Sequence, residues 1–484
     1  MTKVRTIMSS IRDFFSSGDL HDNTGQKKYR LVLTYYSPDG ISYSMPIACL
    51  SSYVKREFPD VEVYLVDINL TLADREDHTV EGYVKRITAL HPDLIAISCM
   101  SIHWLPLDQY LRATKEALPH VPVLVGGYQA VLSPDETIAH PAVDFICVGD
   151  GELPLVALIR RLREGGSAVV PGLWEKKFAG AEPIKTTPVL TEDLTAMPFP
   201  DYTIFERDNN LKGLLLSILG VREDQFILPV MTGRGCPYQC TYCSNSTLQK
   251  IYRGKGAYLR KYDAEAMVDE LCRLRDRYGV SYFEFWDELF LFNMKYTYNF
   301  LELYKQRICL PFSITSRVEM MEEKFCKTAR EAGCHAIWFG LESGSESYRH
   351  KYLNRKMTNK QIIWAADNAR AAGIRRVSLN IVGMPFESRE NMLETLELNK
   401  MIRPEVFQFF PYMPLRGTEL YELAEREGLL LDALPGDFGA SGRTGHFHMN
   451  LKEHLGSVTD KEFDEICHLM GKLQQELHRP DYYS

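Results

Sequence analysis

The chain lacks any apolar run near the ~20 residues that a membrane-spanning helix needs. Its best run, residues 211–220, is short and ends at charged residues. It lacks the long apolar stretch of a secretory leader, since Lys3, Arg5, Arg12 and Asp13 fall within the first turns of sequence. The apolar residues Met8, Ile11, Phe14 and Phe15 share one helical face and suggest a docking helix. It has no lysine- or arginine-rich block and a net charge of −8, which argues against nucleic acid as the main partner because phosphate contact favours basic surfaces. It shows no internal repeat and no low-complexity tract. Its 11 cysteines mostly lack a pairing pattern, which fits a reducing cytoplasm and places the protein there.

What is present is ordinary globular material, 45% hydrophobic and 25% charged, in 484 residues. That length is too great for one compact core and predicts two or three domains. Residues 235–243 read Gly-Cys-Pro-Tyr-Gln-Cys-Thr-Tyr-Cys, so Cys236, Cys240 and Cys243 form a CxxxCxxC pattern. Three thiolates can hold three irons of a [4Fe–4S] cluster and leave the fourth iron open, and an open position suggests chemistry. The competing zinc reading needs a second pair of ligands, and no second pair lies near. The other cysteines, among them Cys49, Cys99, Cys147, Cys326 and Cys334, sit mostly in apolar stretches and read as small core hydrophobes.

Around this motif the chain alternates short Val/Ile/Leu strands with helical segments. Strands are predicted at 30–35, 61–67, 94–99, 121–126 and 145–149, with helices at 45–58, 79–90 and 107–118 and a turn near 135–140. That pattern predicts an α/β, doubly wound parallel sheet of Rossmann-like type over residues 30–165. Ligands bind such sheets at the carboxyl ends of the strands. There lie Ser37-Pro38-Asp39-Gly40, Gly126-Gly127-Tyr128 and Gly149-Asp150-Gly151-Glu152, whose glycines allow close approach of a ligand or simply make turns. Prolines and glycines break the pattern over residues 166–225, read as a linker. Strands return at 226–232, 282–286, 312–316, 336–340, 376–381 and 406–412, with helices such as 263–278 and 359–372 between them. Six βα units over 226–430 predict a partial TIM-like (βα)6 barrel with its chemistry at the carboxyl strand ends. Residues 1–29 read as an N-terminal helix and linker, and 431–484 as a tail with a glycine-rich stretch, His446, His448 and a final helix at 460–477.

The cysteine motif, with Tyr242 before its last cysteine and the strand ends that follow, resembles the radical S-adenosylmethionine (SAM) superfamily. The glycine loops ahead of it resemble the N-terminal B12-binding-type domain of one subgroup. The resemblance implies a [4Fe–4S] cluster on Cys236, Cys240 and Cys243, SAM on its open iron, and cleavage of SAM to a 5′-deoxyadenosyl radical that abstracts hydrogen from a small-molecule substrate. It implies SAM contacts from Tyr242, Asp287, Glu288, Arg317, Glu342, Ser343 and Asn380, and cobalamin contacts from Gly126, Gly127, Gly149 and Gly151. It also implies a flavodoxin- or ferredoxin-type electron donor and a tail that helps close the pocket. The activity it implies is cobalamin-dependent methylation of an unactivated carbon in secondary metabolism. The alternative is cobalamin-independent dehydration, of the diol dehydratase type acting on an aminoglycoside, or a ring-forming rearrangement. His21, in Asp19-Leu20-His21-Asp22-Asn23-Thr24-Gly25, precedes the first strand and has the wrong spacing for a cobalt ligand, so that segment reads as a linker.

Overall fold

The structure, a computed structural model, describes residues 28–37, 43–69, 79–177, 181–191, 193–208, 226–430 and 458–477. The expected docking helix near residues 8–15, His21, the loop at 38–40, the apolar run at 211–220, and His446 and His448 lie outside the described residues. Among the described residues no helix is long and apolar enough to cross a membrane.

The first sheet contains β1 (Arg30–Ser37), β2 (Glu62–Leu65), β3 (Ile68–Asn69), β4 (Leu94–Ser98), β5 (Val123–Gly126), β6 (Phe145–Cys147) and β7 (Leu173–Glu175). Its order is β2-β1-β4-β5-β6-β7, with β3 also paired to β1. All pairings are parallel except β6 with β7. The strands are apolar on both faces because helices cover both. Leu31, Leu33 and Tyr35 pack on the side of helices Met45–Glu57 and Glu152–Glu164, whereas Val32 and Tyr36 pack on the side of Val80–Ala89 and Trp104–Ala117. The strand expected at 61–67 is shorter, ending at Leu65, and is followed by the separate β3. Two short helices, Tyr128–Leu132 and Pro134–Ala139, replace the turn expected near residue 135. The proline-rich segment after residue 165 also supplies β7, a three-residue strand too short to leave a periodic signal.

The second sheet contains β8 (Ile227–Val230), β11 (Tyr282–Phe285), β12 (Phe312–Ser316), β13 (Cys334–Glu342), β14 (Arg375–Val382) and β15 (Val406–Pro411). These six strands are parallel and lie in chain order, forming a curled half-barrel. A short antiparallel hairpin, β9 (Gly233–Arg234) with β10 (Arg260–Lys261), flanks the cysteine motif and was not expected. Alternation assigns the faces. Ile227, Tyr282, Ala336, Val377 and Val406 line the concave interior with Trp338 and Leu379, whereas Phe283, Phe285, Ile314, Ile337 and Phe339 face the outer helices.

The expected helix at 460–477 is present as Asp460–Leu477, but it lies on the outside of the barrel rather than across its mouth. Phe463, Ile466, Met470 and Leu473 pack against Phe407 and Phe409 of β15 and Leu396 of the helix Arg389–Ile402. The two sheets meet through the segment before β8. Tyr202 stacks on Tyr43 with ring centroids 5.2 Å apart and donates to the Pro229 carbonyl at 2.9 Å on the edge strand β8. Ser51 and Lys55 hold Asp201 at 2.7 and 2.6 Å.

Candidate active site

The cysteine loop leaves the carboxyl end of β8, and the helix Ser244–Ile251 starts directly after Cys243. Cys240 is buried, and none of the three cysteines forms a disulfide. Burial pushes the Cys236 thiol up to about 11 and raises that of Cys243. Two guanidinium groups approach the third sulfur. Arg317 Nη1 lies 3.4 Å from Cys240 Sγ, and Arg355 Nη1 lies 3.8 Å from it. Arg317 is held by Glu319 at 2.5 Å and stacks over the Tyr238 ring at 3.7 Å. Cations beside a buried thiol favour the thiolate, the form that binds a metal.

Arg355 also ties the motif to the end of β13. Its Nη1 donates to the Tyr242 hydroxyl at 3.2 Å and lies 3.6 Å from Glu342 Oε1, and its Nη2 donates to the Gly340 carbonyl. Glu342 has its pKa raised by burial, against the charge of Arg355 and the nearby Tyr242 hydroxyl, which favour the carboxylate. Its φ is +66°, a left-handed conformation that costs a non-glycine residue roughly 1–3 kcal/mol. The strained backbone folds the carboxylate back over Gly340, where a Cβ would collide with Oε1. Strain at a buried, charge-paired residue beside the cysteine loop marks a functional position.

The other expected residues divide. Glu288 reaches the loop: its Oε2 accepts from Gly235 N at 3.2 Å, and burial raises its pKa. Its neighbour Asp287 turns away. Asp287 accepts from Thr232 N at 3.0 Å, Thr232 Oγ1 at 2.6 Å and Lys261 Nζ at 2.8 Å, so its carboxylate braces β8 against the hairpin. Ser343 is fully buried and lies 3.4 Å from Glu387 Oε1. Asn380 is not brought to the site. It sits on the outer side of β14, bonded to Ser378 at 3.1 Å, the Gln408 carbonyl at 2.9 Å and Asn399 at 2.9 Å.

The glycines of the first sheet also divide. Gly127 has φ +84°, and a Cβ there would lie 2.6 Å from the Cys99 carbonyl oxygen, so the loops after β4 and β5 meet backbone to backbone. Gly126 has ordinary space beside it. At Gly149, φ is +116° and the space for a Cβ is filled by the Tyr252 hydroxyl at 2.5 Å. Gly151 faces Leu50. The loop after β6 therefore packs on protein. Asp150 bonds Arg260 at 2.5 Å, and its backbone N–H donates to Tyr252 at 2.6 Å. Glu152 bonds Arg234 at 2.5 Å, two residues before Cys236. Burial opposes ionisation of Asp150, but Arg234 and Arg260 hold its carboxyl below the usual range.

Sequence reasoning missed Arg355, which touches Cys240, Tyr242 and Glu342 from an irregular stretch after the helix Glu346–Tyr352. The available signal was Glu342 itself, since a buried carboxylate calls for a cation. It also missed Glu387, which accepts from Gly383 N at 2.8 Å and Met384 N at 3.2 Å and is pushed up to about 8 by burial.

Residues 230–398 match the family profile of the Radical SAM superfamily, and residues 36–159 match that of the B12 binding domain. The chain carries a radical SAM domain and, ahead of it, a B12-binding domain. Among curated relatives, this chain is 27% identical over 407 residues to an uncharacterized methyltransferase of Pyrococcus horikoshii, covering 83% of the chain and 81% of the relative. It is 23% identical to the cytidylyl-2-hydroxyethylphosphonate methyltransferase of Streptomyces wedmorensis, covering 72% of the chain and 70% of the relative. Two solved structures share its fold. They are the methyltransferase TsrM of Kitasatospora setae with cobalamin and [4Fe–4S] cluster (TM-score 0.65, 17% identity, 94% of this chain and 90% of that one) and the cobalamin-dependent enzyme OxsB with aqua-cobalamin and SAM (0.68, 17%, 95% and 70%).

The residues present fit the groups that this family binds. Among the described residues no three His, Cys, Asp or Glu side chains gather as the shell of a single ion. A cluster needs no such convergence, because each thiolate holds its own iron. In the B12-binding domain, Ser101 Oγ and Gln129 Nε2 are buried without a protein partner at the ends of neighbouring strands β4 and β5, as groups reserved for a polar ligand would be. Met100 and Leu105 stand half or more exposed at the same edge, and Phe410 does so at the end of β15.

Proposed function

We propose that this protein methylates an unactivated carbon of a small-molecule substrate, with a [4Fe–4S] cluster, SAM and cobalamin as cofactors. When bound, these groups supply the electron that cleaves SAM to a 5′-deoxyadenosyl radical and a carrier for the methyl group. The observation that carries the proposal is the meeting of two strand-end sites in one chain. The cysteine loop follows β8 of the barrel, and the segments after β5 and β6 of the B12-binding domain touch the helix and hairpin beside it. The helix Tyr128–Leu132, which follows Gly127, packs against the helix Ser244–Ile251, which follows Cys243. The methyltransferase names of several relatives agree.

In this reading Cys236, Cys240 and Cys243 hold three irons. Arg317 and Arg355 offset the negative charge of the thiolates and of the SAM carboxylate. Glu342, restrained by Arg355 and Tyr242, and Glu288, anchored on Gly235, are the carboxylates that accept hydrogen bonds from the ribose and ammonium groups of SAM. Ser343 shapes the loop after β13. Asp287 acts indirectly, by fixing the first strand and hairpin from which the cysteines emerge. Gly126 and Gly127, with Ser101 and Gln129, receive the corrinoid, whereas Gly149 and Gly151 serve the junction between domains. We assign the ligand-binding unit to residues 30–165 and the catalytic barrel to 226–430, joined through 166–225. The cluster draws its electron from a flavodoxin- or ferredoxin-type donor, and the protein works in the cytoplasm on a small molecule rather than on nucleic acid.

The test is anaerobic reconstitution with iron and sulfide, followed by SAM and reductant with and without hydroxocobalamin. The expected result is a retained corrinoid spectrum that changes on adding SAM, with both S-adenosylhomocysteine and 5′-deoxyadenosine formed. Formation of 5′-deoxyadenosine alone, with no corrinoid retained, would replace methylation by cobalamin-free dehydration or rearrangement.

A further inference from the structure

Glu284 is a buried carboxylate that the chemistry above does not use. It lies on β11 between Pro229 of β8 and Ser313 of β12, and shares the parity of Tyr282, so it is on the concave face. It is 6% exposed, and its one recorded hydrogen bond comes from Trp286 Nε1 at 3.0 Å. Among the described residues no cation offsets it: burial and the Trp286 bond alone set its titration, near 7. The other acids of the site have a cation or several donors near them: Asp287 and Glu387 have three donors each, Glu342 has Arg355, and Glu288 has the Gly235 N–H and the charge of Arg234.

An isolated buried carboxyl is costly, whether it is charged and unpaired or neutral with an unused donor. Such a group is retained at a cost when something else completes it. A second incomplete group shares the face. Trp338 Nε1, on β13 of the same interior, is buried and has no hydrogen-bond partner. The indole faces of Trp286 and Trp338 add a surface that favours cations.

We infer that Glu284 is a specificity-determining residue that binds an ammonium group of the substrate inside the barrel, with Trp338 Nε1 donating to a neighbouring hydroxyl oxygen, so that the substrate class is a hydroxylated amine. The inference rests on the reading under Proposed function that the protein acts on a small molecule, and it places that molecule in the barrel interior. An arriving ammonium group supplies the missing counter-charge and three donors, and a hydroxyl oxygen supplies the missing acceptor.

The test uses cluster-loaded enzyme with SAM and small probes, read by ligand-observed NMR. The probes are trans-4-aminocyclohexanol, which carries both groups, and cyclohexane-1,4-diol, which lacks the amine. In wild type the amino alcohol is expected to bind at least about tenfold more tightly, the scale of one charge-assisted contact in a desolvated site. Glu284→Gln, which keeps the shape, should abolish that preference, and Glu284→Asp should retain most of it. Trp338→Phe should weaken both probes alike by a few-fold. Equal binding of the two probes to wild type, or a preference that persists in Glu284→Gln, overturns the inference. Formation of 5′-deoxyadenosine from SAM, measured on the same samples, separates this outcome from failure of the radical SAM assignment.

Discussion

The carboxyl edges of the two sheets carry similar residues and use them differently. At the edge of the barrel, two cations from different loops converge on one thiol, Arg317 after β12 and Arg355 beyond the helix that follows β13, and Arg355 also pairs with Glu342 at the end of β13. At the edge of the first sheet, Asp150 and Glu152 leave the strand end and pair with Arg260 and Arg234 of the barrel's hairpin. One edge gathers charge for a cofactor, and the other spends its charge on holding the first edge in place. Glycine-rich acidic loops at strand ends therefore do not identify a ligand contact until the partners of their side chains are known.

The largest effect should come from the converging edge. Cys240→Ala is expected to remove both the visible absorption of the cluster and all formation of 5′-deoxyadenosine, measured after anaerobic reconstitution. Survival of SAM cleavage would remove the contrast between the edges. Next in size is Arg355→Met, which strands Glu342 without its cation. A broken buried pair costs about 3–5 kcal/mol, so thermal stability should fall sharply together with SAM cleavage. Arg355→Met with Glu342→Gln should recover much of the stability and none of the activity, which distinguishes pairing from catalysis.

On the docking edge, Arg234→Met should cost about 3–5 kcal/mol by the same logic, because Glu152 is left buried. Here the readout is limited proteolysis in the linker 166–225, which should accelerate while the isolated cysteine chemistry weakens less than in Arg355→Met. Equal loss of SAM cleavage in both variants would collapse the distinction. Gly149→Ala should be milder, about 1–3 kcal/mol, since the new methyl meets one hydroxyl. Tyr252→Phe in the same chain should relieve the steric part and leave the strain of a positive φ.

The smallest expected effect concerns pH. Burial wins over three donors at Glu387 and raises its folded pKa to about 8 from an ordinary carboxyl value. A group raised on folding contributes stability that is present in full at low pH and is lost as pH rises toward the folded value. Wild type should therefore lose on the order of 2 kcal/mol between about pH 6.5 and pH 8 from this group, and Glu387→Gln should flatten that decline in chemical-denaturation curves.

Much of this arrangement was legible beforehand. Strands β12 and β15 and the final helix fall where period and turn residues place them, because buried parallel strands leave long apolar signals. The cysteines, Arg317 and Glu342 were legible because they follow strands directly. Direction was not. Asp287 and Glu288 are adjacent, yet one faces the hairpin and the other the cysteine loop, and Asn380 stands on the outer side of β14. In a strand that is apolar on both faces, alternation gives no hint of which parity looks inward. Arg355 escaped because its position depends on a chain reversal after a helix, which has no periodicity to read. Asp150 and Glu152 were visible as a motif, but their partners lie about a hundred residues away in sequence and meet them only through packing.

The hydroxyl of Tyr252 occupies the place where any other residue at position 149 would carry its first side-chain atom. The cysteine helix and the ligand loop thus share one small volume, and neither can be redrawn alone. Engineers who exchange B12-binding domains among such enzymes to change cofactor or substrate should carry residues 149–152 together with Arg234, Tyr252 and Arg260, because the true module boundary passes around this junction rather than along the linker.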